Sequence, residues 1–341
     1  MKVSTVSASM ECSRSAVLFP GALGDFICCL PALQMLARTG SVDVFARSEF
    51  AKIVPDEIAV RSLERYEISR LFTANGAMDE TVQQFFNAYN AVYSWTGLAH
   101  QDFVTSLQSV TRGRARIFPF RPRDGGRHQA DYYFCCLHEP TCNTPPPAVS
   151  RRPEAIAWRA EFWQKHSLAD KNVLVVGPGS GARAKNWPEH HFCAVADWWR
   201  VCMQGAVVVL LGPVEKERGG FSEIGARGLI VRNVDLAQAV ALLDVGSLYL
   251  GNDSGITHLA AATGIPAVAL FGPSDPCQWA PRGHRVTVLS RHEECLHSDP
   301  IVRDDSMTHR CLAGIEPSAV IATLQSLLEK SNGAAGLRRN E

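Results

Sequence analysis

The sequence of 341 residues lacks an excess of either charge, because 34 Lys and Arg residues balance 34 Asp and Glu residues. Proteins dedicated to nucleic acids or anionic membranes usually carry surplus positive charge that neutralises phosphates, so the balance argues against both classes. No apolar run approaches the ~20 residues that span a bilayer. Residues 1–15 contain no hydrophobic core of a secretory signal. We predict a cytoplasmic protein that binds no nucleic acid and makes at most peripheral contact with a membrane.

Several common site patterns are also absent. The 11 cysteines lack the paired CxxC spacing of a structural zinc site. Some of them lie inside apolar segments, namely Cys28, Cys29, Cys193 and Cys202. This distribution is typical of reduced thiols that serve as small hydrophobic residues, so we expect neither a disulfide framework nor a bound metal. The sequence contains no GxGxxG dinucleotide motif, no GxxxxGK[ST] phosphate loop, no GxSxG elbow and no HExxH motif.

Short apolar runs, each ended by a turn, alternate with longer segments of helical periodicity. Residues 16–19 precede a helical segment at 25–38, and residues 172–176 precede a helix from about 188 to 203. Because parallel strands need a crossover and are buried on both faces, this alternation is typical of parallel β-α-β units. Further strands are expected at residues 42–46, 91–95, 115–118, 206–211, 247–250 and 267–271, and a final helix at 317–330.

A proline-rich segment divides the chain. Three consecutive prolines within residues 144–153 remove backbone donors and fix φ, so neither helix nor sheet continues there. We predict an α/β protein with a first domain at 1–150, a second at 151–330 and a tail at 331–341. Ligands of doubly wound domains bind at the carboxyl ends of the strands, so the cleft between the domains is the expected site.

The first candidate segment follows a strand and reads FPGALGD. Gly21 and Gly24 allow a tight turn and a close backbone approach, and Asp25 lies at the start of the next helix. Its carboxylate can cap that helix, or it can act as a general base in the cleft, and the two roles do not exclude each other.

Two further segments have the character of anion-binding loops. Residues 177–188 combine glycines, Ser180 and Lys185 with a helix start, which favours phosphate binding over a flexible loop with solvated cations. Residues 251–262 place a turn of small polar residues before another helix, where the first N–H groups can face an anion. His258 shares a helix face with Ser254. The alternative is that Asp253 or Ser254 caps this helix and His258 packs between strand ends.

With these segments identified, the chain resembles glycosyltransferase family 9, the ADP-heptose heptosyltransferases of bacterial lipopolysaccharide synthesis. The matching stretches are GALGDFICCLPALQML, GPGSGARAKNWPEHHF, GNDSGITHLAAATGIPAVALFGPSDP and, more weakly, HRCLAGIEPSAVIATLQSLL. The resemblance implies a GT-B architecture, in which two Rossmann-like doubly wound domains face a central cleft. The N-terminal domain would bind the acceptor and the C-terminal domain the nucleotide-sugar.

The resemblance also implies roles for individual residues. Asp25 matches the proposed catalytic base of an inverting, metal-independent transfer, beside an acceptor loop that contains Gly21 and Gly24. The positions that match the donor diphosphate site are Ser180, Gly181, Lys185, Ser254 and Gly255. Glu215 and Val234 match the ribose and adenine positions, and Asp253 and His258 match the donor-sugar positions. No cofactor is implied. The partners are an ADP-sugar and a glycan, glycolipid or other hydroxyl acceptor.

One position departs from the family pattern, and other functions stay open. Many relatives have His three residues after the catalytic Asp, where this chain has Cys28. The zero net charge also favours an acceptor less anionic than phosphorylated lipid, or a sugar other than heptose. Alternative functions are a different GT-B enzyme, such as a UDP-sugar transferase or epimerase, and a catalytically silent nucleotide-binding protein.

Overall fold

The computed structural model describes residues 13–122, 125–138, 144–295 and 310–337. These residues form two compact units. The first unit contains residues 13–20 and 32–120, and the second contains residues 21–31 and 121–337.

The division at residue 120 differs from the predicted boundary near 150, because residues 121–138 are bonded to the second unit. The Nε2 atom of His128 lies 2.8 Å from the carbonyl oxygen of Ala280. The guanidinium of Arg282 donates to Asp131 at 2.7 Å. The assignment of acceptor and donor binding to separate domains stays a prediction.

The first unit is built on a five-stranded parallel sheet with the order β3-β2-β1-β4-β5. The strands are β1 (Ser13–Leu18), β2 (Gly40–Ala46), β3 (Ile58–Ser62), β4 (Ala91–Ser94) and β5 (Ala115–Ile117). The helices that begin before residue 121 are α1 (Leu23–Ala37), α2 (Tyr66–Ser69), α3 (Glu80–Asn87) and α4 (Gln101–Val110). The sequence did not predict β3, an edge strand whose side chains are mostly exposed.

The second unit contains a six-stranded parallel sheet with the order β11-β10-β9-β6-β7-β8. Its strands are β6 (Val173–Gly177), β7 (Ala206–Leu211), β8 (Leu229–Arg232), β9 (Leu248–Asn252), β10 (Ala267–Phe271) and β11 (Val286–Ser290). Four of these match predicted strands, whereas β8 and β11 lie at the edges of the sheet and are only partly buried.

The helices of the second unit lie before, between and after its strands. They are α5 (Gln129–Leu137), α6 (Pro153–Lys165), α7 (Glu189–Cys202), α8 (Pro213–Arg218), α9 (Ser222–Gly225), α10 (Leu236–Leu243), α11 (Gly255–Thr263), α12 (Pro276–Trp279), α13 (His292–Cys295), α14 (Arg310–Ala313) and α15 (Pro317–Leu337). The last helix therefore continues past residue 330, where we predicted a tail, and residues 338–341 lie outside the described part of the chain.

Strand order determines where a ligand site can form in the second unit. The order in which the chain adds strands reverses between β6 and its parallel neighbour β9, where Gly177 is in register with Gly251. Such a switch point opens a crevice beyond the carboxyl ends of the two strands. The two predicted anion-binding segments begin at these strand ends, so the fold brings them together. The core beneath them is closely packed, with Val176, Trp199 and Leu250 fully or almost fully buried.

The cysteines correct one prediction and support another. Cys295 and Cys311, 16 positions apart, are paired as a disulfide, which the expectation of reduced thiols did not include. The two residues lie on α13 and α14, which pack together. The spacing of the cysteines in the sequence does not predict this tertiary contact. Cys28, Cys29 and Cys193 are free and buried, as predicted, whereas the free Cys202 is exposed. Within the described residues, no helix is both long and apolar enough to cross a membrane.

Candidate active site

A cavity of about 370 Å³ in the second unit is lined by residues from all three candidate segments. The predicted residues that line it are Gly24, Asp25, Gly181, Lys185, Asp253, Ser254, Gly255 and His258. The other lining residues are Ala22, Arg121, Ala182 and Trp279. Positions that are far apart in the sequence therefore share one concave site that contains acidic and basic groups.

Asp25 occupies the third position of α1 and is only slightly exposed. Its Oδ2 atom accepts a hydrogen bond from the backbone N–H of Ala22 at 3.2 Å, which satisfies a donor at the helix start. Its Oδ1 atom accepts from Nη1 of Arg121 at 2.7 Å. Asp25 thus satisfies a backbone donor at the helix start and also lines the cavity, and its role as a general base stays a prediction.

Arg121 and Trp279 were not predicted as site residues. The guanidinium of Arg121 lies 4.2 Å from the centre of the Trp279 ring, in a cation–π arrangement. The same guanidinium forms the ion pair with Asp25. The Trp279 ring therefore helps to position the Arg121 guanidinium, which in turn positions the Asp25 carboxylate. No motif surrounds either residue in the sequence, and only the folded chain reveals the arrangement.

Lys185 forms the second ion pair of the cavity. Its Nζ atom lies 2.7 Å from Oδ2 of Asp253, with the lysine side chain 37% exposed and the aspartate 10% exposed. The lysine ends a 3₁₀ turn over Arg183–Lys185 that brings it to the cavity. An anion that approaches Lys185 meets a cation already balanced by a carboxylate, so binding requires this pair to rearrange or to share its charge.

Asn252 connects the two anion-binding segments and was also missed as a site-organising residue. Its side chain is completely buried. Its Nδ2 group donates to the carbonyl of Pro178 at 2.6 Å, and its Oδ1 atom accepts from the backbone N–H of Trp187 at 3.0 Å. A buried Asn at the end of a central strand, beside a loop rich in Gly, is the signal that could have found it.

Helix α11 begins close to the start of α1. A Cβ atom added at Gly255 would lie 2.8 Å from Cβ of Leu23 and 3.1 Å from the backbone nitrogen of Gly24. Only glycine permits this approach, which directs the positive ends of two helices at the cavity. Ser254 occupies the cap position of α11 without a side-chain cap bond, and its hydroxyl instead pairs with that of Thr257 at 3.0 Å.

His258 lies one turn into α11 and is almost fully buried, at 4% exposure. Burial lowers the pKa of its imidazole to about 4, so the ring is neutral at neutral pH. The Nδ1 atom of the ring lies 3.7 Å from Sγ of Cys28. The opposite edge packs against Gly24, where an added Cβ would lie 3.3 Å from Cδ2. The cavity thus contains a neutral imidazole backed by a buried thiol.

Ser180 and Glu215 line a neighbouring cavity of about 430 Å³ instead. The Ser180 hydroxyl lies 2.6 Å from the carbonyl of Ala182 and so is engaged within its own loop. Glu215 accepts the backbone N–H of Gly212 at 2.8 Å and thereby caps α8. Its carboxylate occupies the space above Gly179, where any Cβ would overlap it.

Val234 and Gly21 are also outside the cavity that contains Asp25. Val234 lines a third cavity of about 400 Å³ together with Gly212, Pro213 and Glu217. Gly21 is buried in the turn before α1. The adenine, ribose and acceptor roles assigned to these residues and to Glu215 stay predictions.

Comparison with known proteins identifies the family. The pattern described as "Glycosyltransferase family 9 (heptosyltransferase)" matches residues 131–307, just over half of the chain. A curated relative, lipopolysaccharide heptosyltransferase 2 of Salmonella typhimurium, is 31% identical over 157 residues. That match covers 43% of this chain and 44% of the relative, so the chain matches less than half of the relative's length.

Solved structures share the fold across nearly the whole chain. The glycosyl transferase family 9 protein from Veillonella parvula superposes with a TM-score of 0.72 at 20% identity, covering 93% of this chain and 97% of that chain. The ADP-heptose heptosyltransferase II of E. coli superposes with a TM-score of 0.67 at 20% identity, covering 94% and 100%. These neighbours confirm the predicted fold class, a GT-B type with two doubly wound parallel sheets.

One solved neighbour is described as containing iron. It is the dodecameric glycosyltransferase TibC from enterotoxigenic E. coli, with a TM-score of 0.60 at 15% identity and coverage of 94% of this chain and 76% of that chain. Among the residues that the structure describes here, no group of three or more His, Cys, Asp or Glu side chains could hold a metal ion.

The family match over residues 131–307 and the shared fold together establish that this chain belongs to glycosyltransferase family 9.

Proposed function

We propose that the chain is an inverting glycosyltransferase that moves a heptosyl or related sugar from an ADP-sugar to an acceptor hydroxyl. Family membership and the curated relative, whose name describes it as a heptosyltransferase, support this class of reaction. The observation that carries the proposal is the cavity itself, where Asp25 lies with Lys185, Asp253 and the start of α11. A base, a cation and a helix N-terminus are the groups that such a displacement needs in one place.

The donor diphosphate is proposed to bind between Lys185 and the N-terminus of α11. Lys185 supplies a positive charge. The first N–H groups of α11, at Gly255 and Ile256, have no partner within the helix. Ser180 and Gly181 belong to the loop that carries Lys185. The nucleoside is proposed to extend toward Glu215 and Val234, which line the neighbouring cavities. These two residues come after β7 and β8, the next strands of the same sheet.

Asp25 is proposed to act as the general base. An acceptor hydroxyl is a weak nucleophile until a carboxylate takes its proton as the new glycosidic bond forms. The ion pair with Arg121 fixes the orientation of the carboxylate, and each of its oxygens retains a second lone pair for a further hydrogen bond. The hydroxyl attacks the anomeric carbon from the face opposite the diphosphate, so the configuration inverts.

Charge that develops on the leaving diphosphate is proposed to be stabilised by the protein without a metal. Lys185 and the positive end of α11 are fixed before the reaction and require little reorganisation as the bond breaks. Asp253 would repel the diphosphate, and we therefore assign it, with His258, to hydroxyl or oxygen atoms of the donor sugar. Transfer that persists in the presence of a strong chelator supports metal independence, and loss of transfer that added divalent cation restores would contradict it.

The proposed acceptor is a hydroxyl of a glycan or glycolipid, and the proposed compartment is the cytoplasm, where nucleotide-sugars are available. The loop at Gly21 and Gly24 lies next to Asp25 in the sequence, and is proposed to approach the acceptor.

The test combines a base variant with a nucleotide-binding assay. We expect Asp25→Asn to retain ADP binding and to lower transfer by at least 10²-fold, the usual contribution of a positioned base. Asp197→Asn is the matched control, because Asp197 forms a similar ion pair with Arg227 at 2.9 Å but lies half-exposed on α7, outside the residues that line the cavity. ADP should raise the melting temperature more than UDP does. Unchanged transfer by the Asp25 variant, or preferential stabilisation by UDP, would refute the proposal.

A further inference from the structure

Cys28 contacts His258, a residue that lines the cavity. The thiol lies one turn after Asp25 on α1, is 3% exposed, and approaches Nδ1 of His258 at 3.7 Å. This distance is within the range of hydrogen bonds that involve sulphur. The two residues are separated by 230 positions in the sequence, and both are buried. The Cys28 thiol is thus placed to act on the cavity through the His258 ring.

The protonation states of the two groups restrict how they can bond. Burial raises the pKa of the Cys28 thiol far above its ordinary value, so sulphur retains its hydrogen. Burial also keeps His258 neutral, so the ring carries one hydrogen, on either Nδ1 or Nε2. When the thiol donates to Nδ1, the ring hydrogen must be on Nε2.

We propose that Cys28 is a positioning residue whose S–H group donates to Nδ1 of His258 and thereby fixes the ring hydrogen on Nε2. The edge that includes Nε2 lies against Gly24, which lines the cavity with His258. The imidazole then offers an N–H donor on its cavity side. We assign its acceptor to an oxygen of the bound nucleotide-sugar, a step that rests on the proposed function.

In this arrangement the Cys28 thiol affects binding of the nucleotide-sugar although it does not touch the substrate. A neutral ring with the hydrogen on Nδ1 would present a lone pair to the bound nucleotide-sugar, and that lone pair would repel a sugar oxygen placed there to accept a hydrogen bond. A hydrogen bond to a sugar oxygen that is already present in the ground state strengthens binding before and during reaction alike. Loss of the correct tautomer should therefore raise KM for the nucleotide-sugar, with little change in kcat.

The direct test is nitrogen NMR of the ligand-free protein with labelled histidine, at a pH above 6, where His258 is neutral. The wild-type protein should show a protonated Nε2 and an unprotonated Nδ1 for His258. Cys28→Ala should lose this preference and raise KM for the ADP-sugar about tenfold, the value of one neutral hydrogen bond. Cys28→Ser retains a hydroxyl donor and should restore the tautomer and most of the affinity.

Cys29→Ala is the matched control, because Cys29 is an equally buried thiol on the same helix. It should lose stability to a similar extent, yet leave the tautomer and KM unchanged. A purely structural role for Cys28 would instead reduce the amount of active enzyme, which lowers apparent kcat and leaves KM the same.

Different results would overturn this inference and the proposed function. A wild-type His258 with its hydrogen on Nδ1, or a Cys28→Ala protein with unchanged tautomer and KM, would overturn the role of Cys28. The expected tautomer in a protein that fails to bind ADP in a titration would instead overturn the donor contact together with the proposed function.

Discussion

Asn252 offers the sharpest test of how the site is assembled. Its buried amide bonds the carbonyl of Pro178 and the N–H of Trp187, so Asn252→Ala removes both bonds and leaves two backbone groups without a partner. Each buried polar group left unsatisfied costs about 1–3 kcal/mol. We therefore expect the unfolding free energy to fall by about 4 kcal/mol. The loop of Lys185 should also loosen, so that the stabilisation by ADP decreases.

Urea unfolding and melting curves with and without ADP measure both effects. Gln238→Ala is the control. Gln238 also has an amide side chain and lies in the second unit, but the hydrogen bond that it accepts from the N–H of Asp235 is exposed to water. It should cost less than about 1 kcal/mol, since water replaces the lost bond. A loss below about 1 kcal/mol in the Asn252→Ala protein would refute the claim that this side chain joins the two loops.

Asn252→Asp tests the two hydrogen bonds of Asn252 separately. The variant retains an oxygen for the N–H of Trp187, but an ionised carboxylate would oppose the carbonyl of Pro178. Burial raises the pKa of such a carboxyl above its unfolded value of about 4. The folded state then binds a proton more tightly than the unfolded state, so the variant loses stability relative to wild type as the pH rises from 5 to 8. A constant difference across that range would contradict the burial argument.

Three further predictions address the cavity. Gly255→Ala should lower stability by about 1–3 kcal/mol and weaken ADP binding in calorimetry, because its Cβ would press against Leu23 at 2.8 Å; an unchanged affinity would refute the close approach of the helices. Because the pKa of His258 is lowered to about 4, wild type should lose up to ~3 kcal/mol more than His258→Gln as the pH falls from 6.5 to 4 in urea titrations; parallel curves would contradict it. Asp253→Asn should bind ADP about tenfold more tightly, since Lys185 is no longer paired, yet transfer more slowly; weaker ADP binding would oppose that reasoning.

Local patterns were sufficient for most of the fold. Central strands such as β6 and β9 are continuous apolar runs because both faces are covered, and such runs are visible in the sequence. The edge strands β3, β8 and β11 were missed because their side chains are only partly buried, so their periodicity is weak. The turn that carries Asp25 and the loop that carries Lys185 could be predicted because glycines, a helix start and a charged residue occur together within a few positions.

The sequence by itself determined the α/β class, the strand ends that carry the candidate site, and the resemblance to a transferase family. Only the tertiary structure decided which side chains meet. Arg121 reaches Asp25 across 96 positions, Cys28 reaches His258 across 230, and Cys295 joins Cys311 outside any CxxC spacing. The reason is physical: propensity, capping and turn chemistry act between near neighbours, whereas ion pairs, buried thiols and shared cavities depend on where parallel strands place their ends. A contact between distant residues leaves no periodicity to detect, and it exists only once the sheet has formed.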